Sequence, residues 1–140
     1  MVRYAATEAL GHLGTELAIN AVQTVLIHDP SLFARTAAAE AIGVLGGSDF
    51  GPDLRNALER DQEWRVRRAA AESCGFLQDF DAVASLLSAA DDVHFRVRAT
   101  VAWALGEIGG QDVQKALETL ATDRSSLVRR SAERSLSQLA

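Results

Sequence analysis

One phrase recurs five times along the chain and limits what it can fold into. The fourth copy is the clearest: Val97-Arg98-Ala99-Thr100-Val101-Ala102-Trp103-Ala104-Leu105-Gly106-Glu107-Ile108-Gly109. Related openings are Val2-Arg3, Ala34-Arg35, Val66-Arg67 and Val128-Arg129. They fall at 2, 34, 66, 97 and 128, a period of 31 or 32 residues. A fixed period in that range belongs to stacked supersecondary units, each contacting its neighbours, rather than to one closed core.

Counting the opening residue as position zero, positions 0, +4, +7, +8 and +11 share one face at 100° per residue. Small and aliphatic residues fill that face, many of them alanine, so each phrase is an amphipathic helix whose partners approach closely. Further helical patterns lie between the phrases. The chain reads as helices over 2–13, 17–27, 32–45, 52–60, 64–77, 80–89, 95–108, 112–121 and 126–139. Asp29-Pro30-Ser31 and Gly46-Gly47-Ser48-Asp49 punctuate them, and Ser31 and Ser125 are placed as caps. No stretch alternates with period two, so no sheet is expected. The prediction is a single all-α repeat domain over 1–140, with about nine helices. Four A–B pairs follow a first B helix that lacks an A partner.

These Asp…Val-Arg…Ala-Leu-Gly-x-Leu-Gly phrases resemble the HEAT-repeat superfamily, and within it the phycobilisome-lyase-like HEAT repeats. The resemblance covers essentially the whole chain. It implies a right-handed α–α superhelix with B helices on the concave side. Members of that branch include subunits that attach bilins to phycobiliproteins or remove them. Under that implication Arg68 and Arg96 hold propionates, and Trp103 or Tyr4 lies against the tetrapyrrole. The di-iron hydroxylase members need His-Glu pairs, which this chain lacks.

Every copy carries an arginine at +1: Arg3, Arg35, Arg67, Arg98 and Arg129. A cation in a helix's first turn faces the positive end of the dipole, at a cost of about 0.3–1 kcal/mol. Each therefore calls for a partner. Asp29, Asp61, Asp92 and Asp123 lie six residues before the last four, and the family resemblance implies a ladder of such pairs between neighbouring turns. Glycine at +9 (Gly11, Gly43, Gly75, Gly106) sits inside a helix and indicates close helix contact.

Chemistry is sparse. Cys74 stands where other copies have leucine or isoleucine and reads as a small buried hydrophobe. His12, His28 and His94 occupy different positional classes, and no Cys/His spacing suits zinc. No catalytic constellation, cofactor or metal site is expected.

A binding face is better supported. Positions −1, +2, +6 and +10 lie opposite the apolar stripe. They hold Tyr4, Glu40, Glu72, Arg65, Arg68, Phe76, Arg96, Trp103 and Arg134, acidic early and basic later. Trp103 stands where most copies carry a charge, which marks an interface anchor. Trp64 and Phe95 read as staples of the A–B turn. Ser131, Ser135, Ser137 and Gln138 read as the polar outer face of a terminal cap. The first helix has interior character from Ala5 to Leu13, so self-association or a longer array is expected there.

The main expectation is a non-catalytic adaptor that takes a helix or extended segment of a partner protein. A bilin-lyase-type subunit is the alternative. The formal charge of −5 disfavours nucleic acid, as a second alternative, and anionic membrane. The single cysteine excludes an internal disulfide, and the chain shows no signal or membrane-spanning run, so a cytoplasmic setting is expected.

Overall fold

The computed structural model describes residues 16–46 and 50–139. The predicted helix over 2–13, with Tyr4 and Arg3, lies outside them. Among the described residues there are eight α-helices and no strand: α1 (Glu16–His28), α2 (Leu32–Leu45), α3 (Gly51–Arg60), α4 (Trp64–Leu77), α5 (Val83–Ala89), α6 (Phe95–Ile108), α7 (Val113–Leu120) and α8 (Ser126–Leu139). The segment read as one helix over 80–89 opens instead with a 3-10 turn, Phe80–Ala82. The Asp79 carboxylate accepts the Asp81 N–H and tightens that turn.

The helices form two layers. The A helices α1, α3, α5 and α7 pack in succession, as do the B helices α2, α4, α6 and α8, and each A helix packs on the B helix that follows it. The zero positions Ala34, Val66, Val97 and Val128 are all 1% exposed or less. Val66, Val97 and Val128 share one continuous core with Val22, Leu54, Leu58, Leu86, Val113 and Leu117 from the A layer.

Small residues set the spacing of the B helices. A Cβ on Gly75 would lie 2.5 Å from the Trp103 ring and 3.1 Å from the Ala104 Cα, so only glycine allows α4 and α6 to sit this close. Gly43 and Gly106 meet the side chains of Ser73 and Ser135 in the same way. Those serines are buried and donate across the helix pair, Ser73 to the Ala39 carbonyl at 2.6 Å and Ser135 to the Ala102 carbonyl at 2.9 Å. Ser131 donates likewise to the Ala99 carbonyl at 2.7 Å. This corrects the reading of Ser131 and Ser135 as an outer polar cap. Both face inward onto α6, Ser135 beside Gly106, where a larger side chain does not fit, and Ser131 against the Ala99 carbonyl. Ser137 and Gln138 are exposed.

The ladder is present, with a different pairing from the one six-residue spacing suggests. Each arginine reaches forward to the aspartate of the next repeat. Arg35 grips Asp61 with Nε and Nη2 at 2.9 and 3.2 Å. Arg67 grips Asp92 at 2.7 and 3.1 Å, and Arg98 grips Asp123 at 2.8 and 3.1 Å. The aspartate six residues upstream supplies its backbone carbonyl to Nη1: Asp29 to Arg35, Asp61 to Arg67, Asp92 to Arg98 and Asp123 to Arg129. Its carboxylate is turned to accept the N–H two residues on, as in Asp61 to Glu63 and Asp123 to Ser125. One fork thus ties its own turn to the next repeat's turn. The Asp123 carboxyl is held below the usual carboxylate range, first by the Arg98 hydrogen bond.

Candidate functional site

Three successive B helices, α4, α6 and α8, enclose an open groove of about 740 Å³. The small residues Ala99, Thr100, Ser131 and Ser135 line it between the longer side chains at +2, +6 and +10. Of the residues picked from sequence, Arg68, Glu72, Phe76, Arg96, Trp103 and Arg134 line it together. Arg130 and Leu127 join them. Glu40 lies exposed on α2 and does not line the groove. Arg65 is exposed on the rim.

Trp103 serves both as packing and as lining. It is half-buried against the core, with its ring over Gly75, and it meets Phe76 edge-on at 5.0 Å and 68°. Phe76 is 59% exposed, so the pair presents aromatic surface to the groove.

Four arginines, Arg68, Arg96, Arg130 and Arg134, surround that surface with Glu72. Among the described residues, ion pairs hold Arg35, Arg55, Arg67 and Arg98, all outside the groove. The groove arginines make no such pair. The Arg68 Nε is buried and is the one buried side-chain nitrogen or oxygen among the described residues without a hydrogen-bond partner. Such an orphan donor is rare in folded proteins. In a chain of net charge −5, the unpaired cations gather where three helices meet.

Trp64, expected as a staple of its own turn, and His94, expected in no role, come together across a repeat boundary. Trp64 stacks on the His94 ring at 3.9 Å and 9°, across the repeat boundary. The guanidinium groups of Arg65, Arg68 and Arg96 lie 4.7, 5.8 and 5.9 Å from its ring. Trp64 therefore joins two repeats and organises three arginines, rather than only stapling its own turn. His94 caps α6 by accepting the Arg96 N–H on Nδ1 at 3.1 Å. Its pKa is lowered, by burial first and then by Arg96, which keeps Nδ1 an acceptor. The signal was available: His94 holds the position filled by Ser31, Glu63 and Ser125 in the other repeats.

Nucleophilic chemistry finds no support at Cys74. Burial, reinforced by Asp79, pushes its thiol up to about 12. Among the described residues no group of three or more His, Cys, Asp and Glu is placed to hold a metal ion. None of the helices described is long and apolar enough to cross a membrane.

The repeat geometry agrees with comparison to known proteins. The HEAT-repeat family matches residues 51–137. The chain belongs to that family. The PBS lyase HEAT-like repeat matches residues 2–28. No curated protein matches. Among solved structures, the chain is similar to the complex of CpcE and CpcF of phycocyanin lyase from Nostoc sp. PCC7120, at 29% identity and a TM-score of 0.85. That match covers 99% of this chain and 59% of the other, so this chain spans a little over half the length of its relative. Human deoxyhypusine hydroxylase in complex with glycerol is similar at 28% identity and a TM-score of 0.74, over 86% of this chain and 42% of that one.

Proposed function

We propose that this HEAT-repeat chain is a bilin-lyase-type subunit that holds a linear tetrapyrrole in the α4–α6–α8 groove. The observation that carries the reading is the gathering of unpaired arginines, with the orphaned Arg68 Nε, around the Trp103–Phe76 surface. A linear tetrapyrrole is a flat conjugated chain with two propionate groups. It needs aromatic surface for its rings and two cationic clamps at a distance from one another. Arg68 and Arg96 serve one propionate, and Arg130 and Arg134 on α8 serve the other. The cavity falls within the range of roughly 300–1,000 Å³ usual for small-ligand sites. The similarity to a phycocyanin lyase complex supports the same class of ligand, and its two-subunit assembly supports a protein partner.

The chain's part is binding and orientation. Cys74 is sealed in the core and protonated, so the bilin is carried without a covalent bond to it. A propionate carboxylate supplies the acceptor that the buried Arg68 Nε lacks. Nucleic acid is disfavoured by the net charge and by Glu72 among the arginines.

Titration with biliverdin tests the reading. The visible band shifts saturably, and replacing Arg68 and Arg96 together by methionine weakens binding at least about tenfold while the fold is kept. Absence of any spectral change with the wild-type chain overturns it.

A further inference from the structure

The second residue of each B helix forms a row along the rim, Phe33, Arg65, Arg96 and Leu127, of which Arg96 and Leu127 also line the groove. All four are exposed, Phe33 at 61% and Leu127 at 47%. The row is regular, because successive ladder pairs repeat at separations of 26, 25 and 25 residues with nearly constant geometry. Packed helices lie about 8–10 Å apart, so the row runs about 25–30 Å with two arginines between two apolar ends.

The two arginines are held in place. Arg65 lies 4.7 Å from the Trp64 ring, and Arg96 lies 5.9 Å from it and 5.5 Å from Phe95. His94 fixes Trp64 from across the repeat boundary. A guanidinium resting on a ring keeps its edge N–H groups free to grip a carboxylate in two-point fashion. Neither arginine is in an ion pair among the described residues.

We propose that this row docks an acidic, extended segment of a partner protein, with the pattern apolar-x-x-acidic-x-x-acidic-x-x-apolar. The polyproline II conformation has three residues per turn and rises about 3.1 Å per residue. It therefore sets every third side chain on one side, about 9 Å apart, matching the helix spacing. The charge complementarity is specific: the two acidic side chains meet Arg65 and Arg96, and the apolar ends cover Phe33 and Leu127. The row shares Arg96 and Leu127 with the groove, whereas Arg65 does not line the groove and separates the two surfaces.

The test is fluorescence anisotropy of a labelled ten-residue peptide with leucine at both ends, glutamate at its fourth and seventh positions and proline and serine between. Saturable binding is expected, and it weakens as salt rises. Arg65→Glu and Arg96→Glu each lower affinity about tenfold or more, and Phe33→Ala with Leu127→Ala also lowers it. Arg60→Glu, at the exposed end of α3, leaves it unchanged. These positions are on the surface, and helical circular dichroism confirms that each variant is folded. Arg65→Glu retains the biliverdin response, which separates this surface from the groove. Equal binding of a peptide with the same composition in scrambled order, tighter binding of a helical peptide with a seven-residue repeat, or binding unaffected by Arg65→Glu would each overturn the proposal.

Discussion

The chain uses arginine in two opposite ways. At the seam between repeats, Arg35, Arg67 and Arg98 are each gripped by a carboxylate and a backbone carbonyl, with side chains at most 16% exposed. In the groove and on its rim, Arg65, Arg68 and Arg96 lie beside the Trp64 ring, Arg130 and Arg134 line the groove, and none of the five is in a carboxylate ion pair among the described residues. The two sets alternate along the same helices: Arg67 and Arg68 are neighbours in α4. One hundred degrees of helix rotation separates a structural cation from one left for a ligand. A seam arginine is a closed interaction, so its removal should damage the fold. A groove arginine is an open one, so its removal should damage binding alone.

The largest effect belongs at the seam. Arg98→Met strands Asp123, whose side chain is only 12% exposed, and removes two carbonyl contacts. Breaking such a pair costs about 3–5 kcal/mol, and thermal denaturation should record a fall of roughly 10 °C or more. An unchanged melting temperature would break the comparison on this side. Next comes Gly75→Ala, which forces a methyl group against the Trp103 ring and the Ala104 backbone. Overpacking of this kind costs about 1–3 kcal/mol in urea unfolding. It also tilts Trp103, so groove binding and stability fall together.

The acid limb is smaller. Because the folded pKa of Asp123 is depressed, its contribution is present above the ordinary carboxylate value near 4. That stability is lost as pH falls through the lower folded value. Unfolding followed against pH should show a loss below about pH 4 that Asp123→Asn reduces. An identical acid limb in the variant would remove the seam from the account of acid sensitivity. The smallest effect on the fold is expected in the groove. Arg68→Met removes a buried donor that has no partner. Its stability should stay within about 0.5 kcal/mol of wild type or rise.

Helix boundaries were legible because hydrophobic period and turn residues agree in every repeat. Leu32–Leu45, Trp64–Leu77, Phe95–Ile108 and Ser126–Leu139 coincide with the ranges read from the phrase. Stacking of the repeats followed from their register. Relations between repeats were harder to read. Six-residue spacing linked Arg67 to Asp61, yet its carboxylate partner is Asp92, 25 residues downstream. Ser131 and Ser135 looked like solvent-facing residues by polarity, but glycine and alanine on α6 leave room for hydroxyls to bond inward. The Trp64–His94 stack escaped notice for the same reason, since it joins different repeats at different positions. Trp103 was visible because it interrupts a repeated pattern, and Arg68, Arg96 and Arg134 because they fall on the face opposite the apolar stripe. Their lack of carboxylate partners is a property of three dimensions only.

The most direct test sets one residue from each region side by side: Arg98→Met and Arg68→Met, each measured by thermal denaturation and by biliverdin titration. Arg98→Met should lose stability and, at a temperature where it remains folded, bind as wild type does. Arg68→Met should melt at or above the wild-type temperature and lose affinity. If both variants change stability alone, the groove arginine is structural like its neighbour, and the division between seam and groove fails.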